Sequence, residues 1–351
     1  MGCATCSTPG CGGLPVESDL IAVRDLRVSF ASDAGLAKVL DGVSCAIRPG
    51  EIRGLVGESG CGKTTLARAI LGILPPNSAR IEGGTVLFGG RDLLSVPQAT
   101  LAREVRGREI AYIPQDPSTA FNPVFTIGTQ ICDLMHWKSP LLRDPSFKGN
   151  ARARREADLA RVVEWLRLVQ LPNPEALLRK YPHEVSGGQR QRLMIAMALL
   201  PEPKLVIADE PTTALDVTVQ AQILKLLKQL ARDRNVAVLF TTHDLGAAYE
   251  ICDRITVMYA GQEVEEAPVG EFFTRPSHPY TRKLLDSLPS AETGLRGIPG
   301  EIPRLIDPPP GCRFHPRCER ASAICQQRPP PEQAGPGHSV RCHHRLTEFA
   351  A

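Results

Sequence analysis

The first third of the chain alternates short apolar runs with turn residues, which is the pattern of β-strands. Residues 21–30 and 39–47 are two such runs, each bounded by Gly, Pro or Asp. Residues 50–57 form a further strand that enters a Gly-rich turn, and residues 64–74 follow the spacing of a helix. The pattern predicts a strand-rich entry region followed by a strand, a loop and a helix.

Between about residues 116 and 182 the apolar positions fall mainly at helical spacing. Val162, Leu166 and Val169 lie on one face of a charged helix in this stretch. Residues 204–208 and 236–240 are continuous apolar runs instead, as expected of parallel strands buried on both faces. The coarse prediction is an α/β core with a parallel sheet and an inserted helical subdomain.

The two ends of the chain differ in composition from the middle. Residues 1–18 are rich in Gly, Pro, Ser and Cys without periodicity, so we predict a flexible tail that carries Cys3, Cys6 and Cys11. After residue 285 lie 11 of the 31 prolines, with four histidines and four cysteines. Such a Pro-rich segment disfavours long helices or sheets, and residues 286–351 are predicted to be a separate small module that needs more than an apolar core to fold.

Composition and charge narrow the classes of function. With 42% hydrophobic and 23% charged residues, the 351-residue chain has the composition of a globular protein. Its 41 Lys and Arg against 38 Asp and Glu are too evenly balanced for a nucleic acid to be the main partner. The longest apolar run, residues 193–200, is too short to span a bilayer, and residues 1–13 lack the features of a secretory signal. We expect a cytoplasmic chain with at most a peripheral membrane role, whose cysteines serve something other than disulfides.

Residues 57–64 match the phosphate-loop pattern, in which two glycines with four residues between them precede Lys and a hydroxyl residue. Glycines allow backbone N–H groups to close around phosphate oxygens, and the positive end of the next helix points at the same phosphates. Lys63 is expected to reach the β- and γ-phosphates, and the Thr64 hydroxyl to bind Mg²⁺. The predicted nucleotide contacts here are Gly57, Ser59, Gly60, Cys61, Gly62, Lys63, Thr64 and Thr65.

Two adjacent carboxylates complete the predicted site. The apolar run at 204–208 delivers Asp209 and Glu210 at a strand end, where ligands of open α/β sheets bind. Asp209 is placed to hold the Mg²⁺ shell, and Glu210, on the other side of the pleat, to polarise an attacking water. These segments alone do not distinguish a kinase, a GTPase or a helicase.

Residues 185–192, with the sequence VSGGQRQR, resemble the signature motif of ABC ATPases. Ser186 is suited to cap the helix that follows, while Gly187 and Gly188 leave N–H groups open to a γ-phosphate. Gln189 belongs to the same predicted contact set. The motif precedes the Asp209 strand, as it does in that family.

Three further segments match the ABC family in its order. Gln115 resembles the Q-loop glutamine, Asp216 the aspartate of the D-loop at 214–216, and His243 the switch histidine. Phe30 sits where the family places an aromatic ring under the adenine, although a plain core Phe is the alternative. Together these segments cover about residues 20–285.

The resemblance implies the chemistry and the architecture. It implies an ATP hydrolase with an ABC-type core at 19–285, in which a parallel sheet with helices is joined by an antiparallel β subdomain and a helical subdomain at about 116–185. A small cysteine-containing extension occupies 286–351. Catalysis would rest on Glu210, His243 and Lys63, and Mg²⁺ would be bound by Thr64, Gln115 and Asp209.

Three stretches narrow the resemblance to the ATPases of oligopeptide and dipeptide importers, a group that includes nickel importers. They are residues 115–128, 181–184 and 278–281. The resemblance implies a subunit that energises a bacterial importer, with di- and oligopeptides as the expected solutes. Nickel and glutathione-like solutes are alternatives, and a soluble ATP-using iron–sulfur or zinc regulatory protein is the alternative from another class.

The same resemblance implies the partners. In this family the phosphate loop of one cassette faces the signature of another, so Lys63 and Ser186 would serve different ATP molecules. A second ABC ATPase subunit is implied, either a homologous partner or a second copy of this chain. Two transmembrane permease subunits would dock near residues 115–131, and an extracytoplasmic solute-binding protein would supply the solute. The expected location is the cytoplasmic face of the inner membrane, with no nucleic-acid partner.

Cys61 lies inside the phosphate loop at a helix N-terminus. The helix dipole and Lys63 are expected to lower the pKa of its thiol and make it reactive. The alternative is a small residue that fills a slot which the family usually gives to Ser.

Four cysteines of the extension predict a metal centre. Four thiolates are what a [4Fe–4S] cluster needs, and the order of these cysteines resembles the C-terminal extension of some peptide-importer ATPases. Zinc, with His315, His338 or His343 as substitute ligands, and free cysteines are the alternatives. The predicted cluster ligands are Cys312, Cys318, Cys325 and Cys342.

Overall fold

The computed structural model describes residues 19–213, 216–288 and 297–347. Cys3, Cys6 and Cys11 lie outside these residues. The strands are, in chain order, β1 (Ile21–Ser32), β2 (Gly35–Ile47), β3 (Ile52–Val56), β4 (Ala79–Phe88), β5 (Arg91–Asp92), β6 (Ile110–Ile113), β7 (Leu205–Asp209), β8 (Ala237–Thr242), β9 (Arg254–Tyr259), β10 (Gln262–Pro268), β11 (Glu332–Gly335) and β12 (His338–Val340).

The helices connect these strands. They are α1 (Lys63–Leu71), α2 (Gln98–Thr100), α3 (Pro117–Ala120), α4 (Ile127–Lys138), α5 (Ala151–Leu168), α6 (Pro174–Leu177), α7 (Gly187–Leu199), α8 (Val217–Asp233), α9 (Leu245–Ile251), α10 (Val269–Thr274) and α11 (Pro279–Asp286). None of the helices in the described ranges is both long and apolar enough to cross a lipid bilayer.

The strand-rich entry region is a four-stranded antiparallel sheet with the order β2-β1-β4-β5. Bulges interrupt the pairing of β1 with β2 and with β4, and the buried side chains of β1 include Ile21, Val23 and Val28. These side chains belong to one apolar cluster with Leu66 and Ile70 of α1. The cluster ties the antiparallel sheet to the helix that follows the phosphate loop.

The main sheet has eight strands in the order β11-β12-β10-β9-β3-β8-β7-β6. Strands β9, β3, β8, β7 and β6 run parallel. Every residue of β3, β7 and β8 is buried, which explains why the sequence runs are apolar throughout. The predicted α/β core is therefore confirmed, and its parallel strands place their C-terminal ends at one edge.

Helices fill the stretch in which the helical subdomain is predicted, while its bounds at about 116–185 stay a prediction. Val162, Leu166 and Val169 are buried, as their spacing on one helix face predicts. Asn150 caps α5 by accepting a hydrogen bond from the N–H of Ala153 at 3.0 Å. The buried face of α5 joins the same apolar cluster as the main sheet, so the helical layer and the sheet share one core.

The C-terminal segment packs on the main sheet. Strand β12 pairs antiparallel with β10 and extends the sheet, which the Pro content did not predict. Phe314 is fully buried in the main core cluster. Glu265 of β10 accepts hydrogen bonds from His338 at 2.7 Å and from the N–H of Ser277 at 2.7 Å. The segment therefore shares the apolar core of the chain, while the domain boundary at residue 286 stays a prediction.

Candidate active site

The phosphate loop joins β3 to α1 in a conformation that needs glycine. Gly57 has φ of 153°, and a Cβ atom there would lie 2.1 Å from the carbonyl oxygen of Met258. Gly62, the N-cap of α1, has φ of 107° and would place a Cβ 2.8 Å from Leu40. Ser59 and Gly60 are exposed at the tip of the loop. The loop thus presents backbone to solvent at the start of a helix, where anions bind.

Lys63 lies under this loop rather than in solvent. Its side chain is 5% exposed, and its ammonium donates to the carbonyl oxygens of Gly57 at 2.8 Å and Glu58 at 3.4 Å. The same ammonium is 3.9 Å from a carboxylate oxygen of Glu210. A cation is therefore held between the loop and the end of β7.

Asp209 is buried at the end of β7 with three hydroxyl donors. Thr241 donates to one carboxylate oxygen at 2.6 Å and Thr64 to the same oxygen at 3.2 Å, while Tyr112 donates to the other at 3.0 Å. Burial, followed by the charge of Asp209, raises the pKa of Tyr112 to about 12, so the phenol keeps its proton. The motifs predict Thr64 and Asp209, whereas Tyr112 and Thr241 follow no motif and could not be predicted from the sequence.

Two of the predicted residues, which lie far from Glu210 in the sequence, contact its carboxylate. Gln115 donates to its carboxylate at 3.0 Å, Nδ1 of His243 lies 3.2 Å from the same oxygen, and the Thr213 hydroxyl donates at 3.3 Å. The backbone of Glu210 has φ of 47°, a left-handed conformation in a non-glycine residue. Its N–H donates to the carbonyl oxygen of Thr241 at 3.0 Å, which holds this turn in place.

The remaining predicted residues lie around this centre. Ser186 caps α7 by accepting from the N–H of Gln189 at 3.3 Å, and Gln189 accepts from the N–H of Ser186 at 3.1 Å. Asp216 caps α8 by accepting a hydrogen bond from the N–H of Val219 at 3.0 Å. Ser186, Gly187 and Asp216 are all exposed.

Phe30, Thr65 and Gly188 are partly buried. Phe30 packs at the edge of the antiparallel sheet cluster. Thr65 lies in the first turn of α1, and a Cβ at Gly188 would lie 3.0 Å from Val219. Residues 214 and 215 of the predicted D-loop lie outside the described residues.

The structure contradicts the prediction that Cys61 is a reactive thiol. Cys61 is 2% exposed and belongs to the apolar cluster beneath the antiparallel sheet. Burial raises the pKa of its thiol, and the opposing effect of Lys63, whose ammonium is 3.8 Å from the sulfur, does not outweigh it. Cys61 therefore fills a small slot in the core, which is the alternative that the sequence left open.

This position predicts slow alkylation. In the native chain, iodoacetamide should label Cys61 at least about tenfold more slowly than Cys132, because a buried thiol forms little thiolate. Cys132 is partly exposed and serves as the internal comparison. Peptide mapping after a time course, with a urea-unfolded sample in which both thiols react, measures the ratio. Equal labelling of the two thiols, suppressed by MgATP, would restore the reactive-thiol hypothesis.

The four cysteines of the C-terminal segment come together without forming a metal site. They line one cavity of about 10 Å³, no more than the space that one water needs, and all four are free thiols. Across residues 19–213, 216–288 and 297–347, no three His, Cys, Asp or Glu side chains are placed to hold a metal ion together. Burial raises the pKa of Cys312 to about 11 and that of Cys342 to about 12, which disfavours thiolates. The predicted [4Fe–4S] cluster on Cys312, Cys318, Cys325 and Cys342 is therefore wrong, and the zinc alternative gains no support.

Comparison with known protein families agrees with the motifs. The model of the ABC transporter family matches residues 40–213, and that of the oligopeptide/dipeptide transporter C-terminal region matches residues 264–325. A probable peptide ABC transporter ATP-binding protein of Sinorhizobium fredii is 46% identical, covering 93% of this chain and 96% of that protein. The dipeptide transport ATP-binding protein of Bacillus subtilis is 42% identical, covering 92% and 94%. The oligopeptide transport ATP-binding protein of Salmonella typhimurium is also 42% identical, covering 94% and 95%.

Solved structures share the fold. The ATP-binding cassette MJ0796, in a dimeric post-hydrolysis state bound to ADP and phosphate, superposes with a TM-score of 0.59 at 24% identity, covering 71% of this chain and 98% of that one. Clostridium perfringens cbiO1, part of an ABC transporter complex, gives a TM-score of 0.58 at 26% identity, covering 73% and 91%. The architecture seen here is thus that of an ATP-binding cassette with an added C-terminal segment.

Proposed function

The chain belongs to the ATP-binding proteins of peptide ABC transporters, and we propose that it hydrolyses ATP to drive the import of dipeptides and oligopeptides. The observation that carries the proposal is the convergence of Lys63, Glu210 and His243 at the C-terminal edge of the parallel strands. A phosphate-facing cation, a carboxylate and a histidine at that edge are what hydrolysis of a bound nucleotide requires.

In this proposal the loop at 57–62 and Lys63 bind the phosphates of ATP. The first N–H groups of α1 have no partner within the helix and are free to donate to phosphate oxygens. Lys63 exchanges the carbonyl oxygen of Gly57 for a phosphate oxygen, because an ammonium bonds more strongly to an anion than to a neutral acceptor. Thr65 supplies a further hydroxyl, and Phe30 lies under the adenine ring.

Thr64 and Asp209 are proposed to hold Mg²⁺, with Gln115 completing the set. The hydroxyl of Thr64 and the carboxylate of Asp209 already lie 3.2 Å apart, and such oxygen donors suit a hard cation. When bound, Mg²⁺ neutralises charge on the β- and γ-phosphate oxygens. Thr241 and Tyr112 keep the carboxylate of Asp209 oriented.

Glu210 is proposed to polarise the water that attacks the γ-phosphate. Gln115 and His243 contact the same oxygen of its carboxylate and so fix the direction in which the other oxygen points. The ammonium of Lys63 lies 3.9 Å from that other oxygen. His243 is 55% exposed, so it stands at the open side of the site where a nucleotide enters.

A second ATPase subunit is proposed to complete each site. Ser186 and Gly187 are exposed at the N-terminus of α7, a position suited to a γ-phosphate held by another subunit. Asp216 is exposed at the start of α8 and would lie at the same interface. Binding ATP between two subunits would close them, and hydrolysis would release them.

Two permease subunits are proposed to dock on the helical subdomain. Val124 and Phe125 are exposed at 73% and 50%, beside the segment that carries Gln115. Apolar side chains on a surface suit a protein contact. Gln115, a few residues earlier in the same segment, donates a hydrogen bond to Glu210. A solute-binding protein would deliver the peptide on the other side of the membrane, and this chain would lie at the cytoplasmic face.

Reconstitution tests the proposal. The chain is assembled with its permease subunits and partner ATPase in lipid vesicles, and ATP hydrolysis is measured with the solute-binding protein either empty or peptide-loaded. Peptide-loaded binding protein should raise hydrolysis above the level with empty binding protein. Peptide import would be contradicted if only the nickel-loaded solute-binding protein raised ATP hydrolysis. It would also be contradicted if the rate of hydrolysis did not depend on the solute-binding protein.

A further inference from the structure

Glu58, the second residue of the phosphate loop, is held from outside the loop. Its N–H donates to the hydroxyl of Tyr280 in α11 at 3.0 Å. Its carboxylate accepts two hydrogen bonds from the guanidinium of Arg317, at 3.0 Å and 3.4 Å. Both contacts come from the C-terminal part of the chain, more than two hundred residues away. The phosphate-loop pattern leaves position 58 free, so this side chain is available for the contact.

Arg317 is committed to this position. Its five N–H donors all have acceptors: the two oxygens of Glu58, the hydroxyl of Tyr259 at 3.1 Å, and the carbonyl oxygens of Ile298 and Pro299 at 2.9 Å each. The guanidinium carbon lies 5.7 Å from the ring centre of Tyr259, and the side chain is 4% exposed. A buried guanidinium with all donors used has one available geometry, so Arg317 is a rigid support.

The backbone beneath Arg317 is equally fixed. The N–H of Arg317 donates to the carbonyl oxygen of Phe314 at 2.9 Å. Phe314 is fully buried, with its ring centre 5.1 Å from that of Tyr259 and 5.3 Å from that of Tyr280. The three rings form one aromatic cluster, which carries both groups that hold Glu58.

Glu58 in turn bears on the ATP site. Its carbonyl oxygen accepts from the ammonium of Lys63 at 3.4 Å, next to the 2.8 Å bond to Gly57. Glycines at 57, 60 and 62, all with positive φ, give the loop many accessible conformations. An anchor at Glu58 reduces the conformational freedom that the loop must lose when it closes around phosphates.

We propose that Arg317 and Tyr280 are positioning residues for ATP, through which the C-terminal segment holds the phosphate loop in its nucleotide-binding shape. The effect acts on binding rather than on the chemical step, since neither residue reaches the carboxylate of Glu210. This rests on the proposed function, because it assumes that the loop binds ATP.

The test is a double-mutant cycle on the purified full-length chain with MgATP as the probe. Arg317→Ala and Glu58→Ala should each raise the Kd for MgATP about tenfold, the scale expected when preorganisation is lost. If Arg317 acts through Glu58, the Kd of the double variant for MgATP should be no higher than that of the single variant with the higher Kd. Tyr280→Phe, which keeps the ring and removes the hydroxyl, should raise the Kd by a smaller factor.

Controls separate positioning from loss of folding. Arg345→Ala removes another arginine of the same segment. Its guanidinium donates to the carbonyl oxygen of Gln333 at 3.1 Å, so the Kd of this variant for MgATP should equal that of the wild type. Thermal unfolding identifies a variant that binds poorly because it is unfolded, and Glu58→Ala, at the partly exposed end of the pair, keeps the test open if Arg317→Ala fails to fold. In the assembled transporter, the KM for ATP should rise in the folded variants, while kcat should change by less than about twofold.

The outcomes are distinct. If the wild-type chain binds MgATP and the folded single variants bind it with the same Kd, the positioning role alone is overturned. A fall in kcat of these variants at constant KM would overturn it as well. Additive effects in the cycle would overturn the route through Glu58. A wild-type chain that does not bind MgATP would overturn the proposed function and, with it, this inference.

Discussion

Replacing Glu210 with glutamine should lower ATP hydrolysis by the assembled transporter about a thousandfold, within the range by which a general base contributes to catalysis. Glutamine keeps the shape and the contacts with Gln115 and His243 but lacks the charge that polarises water. The Kd for MgATP should stay within about twofold, because the phosphates are bound by other groups. Phosphate release and nucleotide titration measure the two quantities, and the closed, ATP-bound form should accumulate.

Glu175→Gln is the matched control for this variant. Glu175 is exposed on α6 and pairs with Arg167 across the surface, so the same loss of charge there should leave hydrolysis unchanged. Wild-type hydrolysis by Glu210→Gln would show that another group activates the water. A large loss of MgATP binding would show that Glu210 acts in binding instead.

Replacing Lys63 with alanine should weaken MgATP binding by about ten- to a hundredfold, the cost of losing a charged hydrogen-bond donor. The ammonium is buried below the loop and already contacts acceptors on both sides, so its position is set before the nucleotide arrives. Titration of the full-length chain with MgATP measures the change. Lys225→Ala, at an exposed position of α8, should have no effect. A Kd that is the same in Lys63→Ala and wild type would remove Lys63 from the site.

The sequence predicts the parts of the fold and site that depend on local pattern. The apolar runs at 204–208 and 236–240 became buried parallel strands because a strand covered on both faces needs apolar side chains throughout. Gly57 and Gly62 could be predicted from the phosphate-loop motif. The motif requires glycine there because the backbone angles and close contacts at both positions exclude other residues. Gln115 and His243 carry no local signal of their own, and the family resemblance was needed to predict that they serve the Glu210 site.

Contacts between distant segments could not be predicted. Tyr280 lies within residues 278–281, which carry the family resemblance but no predicted role in the site, and no local pattern marks Arg317. Both nevertheless contact Glu58. The addition of β12 to the main sheet depends on packing that a Pro-rich composition hides. The order of the four cysteines predicted a cluster, and this prediction is wrong. Spacing along the chain does not reveal that burial raises the pKa of these thiols and keeps them protonated.

Transport itself tests the central claim most directly. The reconstituted transporter is given ATP on the side of this chain, with the solute-binding protein and a labelled oligopeptide on the other, and peptide accumulation is followed. The account predicts that the wild-type complex accumulates peptide only when ATP is present, and that the Glu210→Gln complex accumulates none beyond the ATP-free control. Equal accumulation by the two complexes, or accumulation by the wild type without ATP, would contradict it.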